Sequence, residues 1–352
     1  MGKLYKFLAY ALILAALSLA SCIKDEKIDE QALYKEAQNA IESYPGDQAG
    51  LKKAEKLLNK IYKANPQSAL AHTGLGRLAY KNGYINNDNY TQESLAEAHS
   101  HFNKALSIDP KLFDAWFYGA YPYLYEKKYP EAKALAQKAL AIDPDSPKVD
   151  LLYAAIAKGE NDPNEVERRS RHVLERATDN KLIESAYSLL SWAYQEQKQY
   201  DLAEKAYQKI IELDAASPWA KINYSSFLCS LGKYDEAIDY GKQALAIMDF
   251  GMGHNVLALA LCGKGGDLYW KEKRPEEAKG FFEEAIQHDP DNADAYYGLG
   301  MSFYNIGYNN KNVEEIEKAE KALKKAIQLN PDHQQAKVAL NQLELLLSTV
   351  KK

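Results

Sequence analysis

His99-Ser100-His101 sets two imidazoles within three residues, the sort of spacing that invites a metal reading. On a helix, residues two apart point about 200° away from one another, so the two rings cannot close on one ion, and solvated polar side chains are the reading that remains. The run Asn86 to Asn89 offers oxygen ligands for calcium but lacks the spaced acids and terminal Glu of a calcium loop. Gly263-Lys264-Gly265-Gly266 is glycine-rich, yet it has neither a preceding strand nor the Gly-Lys-Ser/Thr ending of a phosphate loop, and close helix packing accounts for it better. Cys229 and Cys262 fall in helical stretches; a disulfide between them and two buried, separate thiols are both open, and the second is favoured. There is no CxxC, no paired Cys/His spacing and no Ser/His/Asp or Cys/His arrangement. The many carboxylates alternate with lysines as on solvated helix faces. The expectation is therefore no catalytic residue, no metal and no cofactor.

Any binding surface must then be built by the elements themselves, and these repeat. A small residue, a small or branched residue seven positions later and usually a Pro five beyond that recur as Ala98/Ala105/Pro110, Ala132/Ala139/Pro144, Ala237/Ala244/Asp249, Ala278/Ala285/Pro290 and Ala319/Ala326/Pro331. Ala54/Ile61/Pro66, Val166/Val173/Thr178 and Ala203/Ile210/Ala215 are looser copies. Self-similarity at this period is the mark of a stacked helical array. In Phe113 to Pro144, Trp116, Gly119, Ala120 and Tyr123 recur at helical spacing, the turn Glu126-Lys127-Lys128 follows, and Ala132, Ala136 and Ala139 mark a second helix. Small residues at the crossing allow close axes, and Pro144 separates one unit from the next.

This layout resembles the tetratricopeptide repeat, with Leu75-Gly76 and Leu299-Gly300 supplying its Leu-Gly pair, Phe102 and Phe282 its aromatic between the paired alanines, and Tyr129, Tyr200 and Tyr234 a Tyr three residues before the first alanine. The resemblance implies an all-α fold: an α-solenoid, a right-handed superhelix of helix-turn-helix repeats, with about eight repeats over 29–331 and a C-terminal capping helix over 332–352. The spacing Pro110 to Pro144 is 34, but Pro66 to Pro110 is 44, and Asp249 to Pro290 and Pro290 to Pro331 are 41 each. Two of the insertions look alike, 83–89 and 307–312, and each is expected to form an Asn-rich turn plus an extra turn of the following helix, the second capped by Asn312. The third is expected to lengthen the helix around Gly253 to Lys271. Residues 161–178 lack the pattern's aromatics, although Asp162-Pro163 is a good helix start, as are Ser146-Pro147 and Ser217-Pro218.

Ahead of the array, Lys3 and Lys6 precede the apolar run Phe7 to Ala20 and then Leu19-Ala20-Ser21-Cys22. The run is shorter than the roughly 20 residues of a spanning helix and small residues follow it, so 1–21 reads as a cleaved signal peptide. Leu19-Ala20-Ser21-Cys22 resembles the lipobox of bacterial lipoproteins, which implies acylation of Cys22 and a tether over 22–28. Several acyl chains at one residue hold a protein stably on a bilayer. Loss of Lys3 and Lys6 with the leader takes the formal charge from −5 to −7, and an acidic body argues against nucleic acid as a partner. Ile23 is not the Asp that retains enteric lipoproteins at the inner membrane, and Lys24-Asp25-Glu26 resembles a surface-export tether, so the expected place is the outer membrane, facing the periplasm or the cell surface.

In proteins resembling this one, the first helix of each pair lines a groove. Its non-core positions here hold Arg77, Tyr80, Phe117, Tyr121, Tyr125, Trp192, Trp219, Trp270, Tyr297 and Tyr304. Such aromatics suit an apolar or extended peptide, or a sugar face. The paired Lys/Asn carboxylate grip of some family members has Thr73, Arg77, Phe117 and Tyr121 in its places and is absent. The expected role is a non-catalytic lipid-anchored adaptor that binds a protein or peptide of the cell envelope; the alternative is a solute-binding lipoprotein that captures a sugar or small hydrophobic molecule for nutrient uptake.

Overall fold

The computed structural model describes residues 28–42, 48–86 and 89–350; the leader, Cys22, most of the tether and Lys351-Lys352 lie outside them. The chain divides into two compact units, Met1–Gln197 and Lys198–Lys352. In unit 1 the helices are α1 (Glu30–Glu42), α2 (Gln48–Ala64), α3 (Ala69–Asn82), α4 (Gln92–Ile108), α5 (Phe113–Tyr125), α6 (Tyr129–Ile142), α7 (Pro147–Gly159), α8 (Pro163–Arg176) and α9 (Asn180–Glu196). Consecutive helices pack as antiparallel pairs, and α1, α3, α5 and α7 also pack in a row, each against the next but one in sequence. Unit 2 holds α10 (Tyr200–Leu213), α11 (Pro218–Ser230), α12 (Tyr234–Ile247), α13 (Gly251–Gly266), α14 (Pro275–His288), α15 (Ala293–Asn310), α16 (Val313–Leu329) and α17 (Gln334–Val350). There α11, α13 and α15 form the corresponding row.

The seven-residue pairs are the seams of these stacks. Every residue in them, from Ala54 and Ile61 to Ala319 and Ala326, is buried. Side chains seven apart lie two turns apart on one helix face, so a small residue at each lets the neighbouring helix sit down along its length. The large side chains then interlock beside them: Phe102 packs with Tyr80, Phe117 and Tyr118 in unit 1, and Phe282 with Leu268, Tyr269 and Leu299 in unit 2. Gly298 on α15 meets the ring of Phe282 so closely that a Cβ there would fall 2.3 Å from Cε1. Gly263 does the same for Tyr234, at 2.2 Å, so this part of the glycine run is a helix crossing.

The helix starts follow their sequence signals. Asp162 caps α8 by accepting from Glu165 N at 3.1 Å, Ser217 caps α11 from Ala220 N at 3.2 Å, and Asn312 caps α16 from Glu314 N at 3.0 Å. The aromatic-poor pair α7/α8 is held differently. Asp150, 5% exposed, receives Arg169 Nη1 at 2.7 Å and His172 Nδ1 at 2.7 Å. A buried carboxylate is tolerable only with such partners.

The three insertions have three outcomes. After the first and second, α4 and α16 run 17 residues where α6, α8, α10, α12 and α14 run 14, which is the extra turn expected. Both turns differ from expectation: in the first, Tyr84–Asn86 (β1) and Asn89–Tyr90 (β2) pair antiparallel as a small hairpin, and in the second, Gly307 to Asn310 continue α15, leaving Lys311, at φ 54°, as the turn before the Asn312 cap. The cause of the hairpin is aromatic, since Tyr90 stacks on Tyr125 at 4.0 Å between centroids, which pins the second arm to α5, and Tyr84 of the first arm packs edge-on to Tyr90. The third insertion prolongs α13 by a π-helical turn, Asp267–Lys271.

Candidate functional site

A groove runs across the first-helix faces of α5, α7 and α9 in unit 1. It consists of a cleft of about 490 Å³ toward the C-terminal ends of α5 and α7, and a second of about 330 Å³ toward the N-terminal half of α9. Tyr121, Ala155 and Leu189 line both, so the two are continuous. These three residues stand 34 apart in sequence, and so do Leu124, Lys158 and Trp192. The groove is thus two registers of one helical face, three residues apart, carried through three successive repeats. Ala155 makes the depression: at its register the neighbours are a Tyr and a Leu, and a single methyl leaves the space between them open.

The ends of the groove differ in charge. Its larger cleft has Lys127 and Lys158 as its charged lining residues, while the smaller has Glu184 with Ser185 and Ser188. Lys158 Nζ lies 5.9 Å over the Trp192 ring, a cation–π placement that holds the ammonium at the mouth. Lys127 follows α5 with φ 61°, a left-handed conformation that turns the chain toward α6. Behind the groove, Tyr121 stacks on the buried Tyr80 at 6.3 Å between centroids, and Tyr125 packs on it at a tilt at 5.8 Å. Burial pushes all three phenols above the ordinary tyrosine range, so they stay neutral.

Of the residues projected onto the groove, Tyr121 and Tyr125 line it, and Trp192 stands outside its lining, beneath Lys158. Arg77, Tyr80 and Phe117 are not on an open face: all three are buried at 6% exposure or less. They fill the contact among α1, α3 and α5, where Arg77 Nη2 donates to Glu42 at 3.2 Å and its guanidinium lies 4.0 Å over Tyr118. Beside them Tyr34 donates to Asp114 at 2.9 Å. Four residues belong to unit 2. Trp219 packs on Phe250 at 4.7 Å, Tyr304 pairs with Tyr308 at 6.0 Å, and Trp270, 45% exposed, stacks beside Tyr297 at 6.2 Å. The projection missed Ala155, Lys158 and Leu189, which adding the repeat length to Tyr121 and Leu124 would have found.

The other chemistry-bearing residues are engaged elsewhere. His99 pairs with Glu126 at 3.1 Å while His101 turns to His72, so the two rings do diverge. Cys229 and Cys262 are free thiols. Burial first of all pushes them up, Cys229 to about 11 and Cys262 to about 12. Among the described residues no group of three or more His, Cys, Asp or Glu is placed to hold a metal, and no helix is long and apolar enough to cross a membrane.

Two tetratricopeptide-repeat family models match the chain, one over residues 217–291 and the other over 184–217 and 302–333. The small glutamine-rich tetratricopeptide repeat-containing protein 2 of Mycosarcoma maydis is 34% identical over 106 residues, which is 30% of this chain and 28% of that protein, so the match spans less than a third of the relative's length. Among solved structures, the C-terminal part of a TPR repeat-containing protein from Cytophaga hutchinsonii is similar at a TM-score of 0.54 and 17% identity, covering 76% of this chain and 99% of that one. The pilF protein of Pseudomonas aeruginosa is similar at 0.50 and 18%, covering 64% and 94%. At such identities the likeness is one of fold alone. Helix pairs with buried small-residue seams make this chain an all-α protein of stacked helical pairs, and the family models recognise tetratricopeptide repeats in it over 184–291 and 302–333.

Proposed function

We propose that the chain is a non-catalytic adaptor that holds an extended, partly acidic segment of a partner protein in the α5/α7/α9 groove, on a body anchored to the outer membrane through acylated Cys22. The observation that carries the binding reading is the continuous depression at Tyr121, Ala155 and Leu189 with two lysines at one end. An apolar side chain of the segment fills the space over Ala155, and its carboxylates face Lys127 and Lys158. The rigid Tyr side chains of the lining give contact area at little entropy cost. The lipobox-like Leu19-Ala20-Ser21-Cys22 and the tether after it support the anchor and the envelope location.

Recovery of envelope proteins on the immobilised full chain, beside Ala155→Phe, tests the groove. A partner retained by the native chain and lost by Ala155→Phe supports it; equal recovery by both refutes it. Metabolic labelling with a fatty-acid analogue tests the anchor, which fails if native protein carries no label that Cys22→Ser removes. A second reading, capture of a sugar, is favoured by the exposed Trp270 beside Tyr297. A thermal-shift screen with glycans would show it as a stabilisation that Trp270→Ala abolishes.

A further inference from the structure

Four of the seven histidines stand in two pairs built alike. In unit 1, His72 on α3 faces His101 on α4 with 3.0 Å between their Nδ1 atoms. In unit 2, His254 on α13 faces His288 at the end of α14, again Nδ1 to Nδ1, at 2.8 Å. In each pair the Nε2 of the first-helix ring is held by the loop that leads into its helix, by Pro66 O at 3.3 Å in one and by Asp249 Oδ1 at 2.6 Å in the other. Both of those oxygens are acceptors at neutral pH. Nε2 therefore carries the proton in His72 and His254, and their Nδ1 is a bare lone pair. The proton between the facing nitrogens belongs to His101 and to His288.

The rings meet head-on. Their centroids lie 5.3 and 5.1 Å apart, the separation of two imidazoles whose Nδ1 atoms point straight at one another. A metal bound at about 2 Å from both nitrogens would need the rings bent toward a common point off that line. The geometry is that of an N–H···N hydrogen bond, and it joins three elements: entering loop, first helix and second helix.

Around the first pair stand the edge of Tyr62 from α2, 5.5 Å from His72, then Lys104 and Glu97 from α4, Glu97 being 3.9 Å from His101 Nε2. Around the second stand Asp249, Lys242 of α12 and Glu284 of α14, the last two joined to each other at 2.8 Å. Burial holds His72, His101 and His288 below the ordinary histidine range, and the facing ring adds to this for His101 and His288.

We propose that His72–His101 and His254–His288 are proton-gated clasps, closed while the pair carries at most one added proton and opened when both rings are cationic, so that mild acid loosens α3 from α4 and α13 from α14. The first added proton goes to Nε2 of the second-helix ring, beside Glu97 in the case of His101, and leaves the N–H···N bond in place. The second puts a hydrogen on both facing nitrogens, which removes the acceptor and sets two like charges head to head. An open pair holds two added protons where a closed one holds one, so opening takes up one proton. Its equilibrium constant then rises about tenfold per pH unit. The contribution of each clasp is present above the unfolded histidine value of about 6.5 and is lost as pH falls below it.

Hydrogen exchange of the full chain between about pH 7.5 and about pH 5, corrected for intrinsic rates, tests this. The expected result is protection in α3/α4 and α13/α14 that falls about tenfold per pH unit below about pH 6, with α6 and α12 unaffected. His101→Gln and His288→Gln should each flatten that slope in their own pair alone. Because a Gln variant could loosen the fold by itself, ring-nitrogen NMR of the native chain provides a second readout, in which the two rings of a pair titrate as a coupled unit. An unchanged slope in the Gln variants, or four rings titrating independently near about 6.5, overturns the proposal.

Discussion

Replacing Gly280 and Gly298 by Ala, one at a time, should move stability in opposite directions. Both glycines are inside helices, where Ala is favoured over Gly by about 1 kcal/mol through backbone entropy alone. Gly280 sits on the exposed face of α14, and a Cβ there meets nothing within 4 Å. Gly280→Ala should therefore stabilise unit 2 by about 1 kcal/mol. At Gly298 the added Cβ would fall 2.3 Å from both Cε1 and Cζ of Phe282 and 2.7 Å from Cε2. Those are ring atoms within a core formed with Leu268, Ala278 and Leu299, so the ring cannot swing freely aside. Overpacking of this kind costs about 1–3 kcal/mol, which outweighs the helix gain and leaves Gly298→Ala destabilised by up to about 2 kcal/mol. Urea unfolding of the two variants and the native chain, at a common slope, reads the difference. If Gly298→Ala proved as stable as Gly280→Ala, the claim that small residues set the closeness of these crossings would be wrong.

Three other outcomes follow from single sites. Glu165, held down to about 2 by the side-chain hydrogen bond from Arg168 and further by Arg169, binds its proton later in the folded than in the unfolded state. Its contribution is thus present above the unfolded carboxylate range and is lost as pH falls toward about 2; stability curves of Glu165→Gln should lack that part of the acid loss. Cys229 and Cys262 should resist alkylation at mildly alkaline pH in the folded chain and react once it is denatured, as mass spectrometry can follow. Ser217→Ala removes the acceptor for Ala220 N and should cost about 1 kcal/mol in denaturant unfolding.

The array was legible because its seams are chemical: a small residue seven before another is visible in the letters, and each such pair is buried. The hairpin Tyr84–Tyr90 was not, because what makes it a hairpin is Tyr125 stacking on Tyr90 from 35 residues away. Asn-rich letters specify a turn there without saying what its arms do. The groove was half legible. Aromatics such as Tyr121 and Trp192 draw attention, but the depression is made by Ala155, whose contribution is a missing side chain. Arg77, Tyr80 and Phe117 share the helix positions of groove residues and are covered by the packing of α1 and α5, a tertiary event that helical phase alone does not encode.

The most direct measurement is a hydrogen-exchange footprint of the full chain with and without its recovered partner. The account predicts slowed exchange on α5, α7 and α9 around Tyr121, Ala155 and Leu189, with the partner's segment releasing on Lys127→Glu/Lys158→Glu. Protection confined to α6 and α8, with those groove helices unchanged, would contradict it.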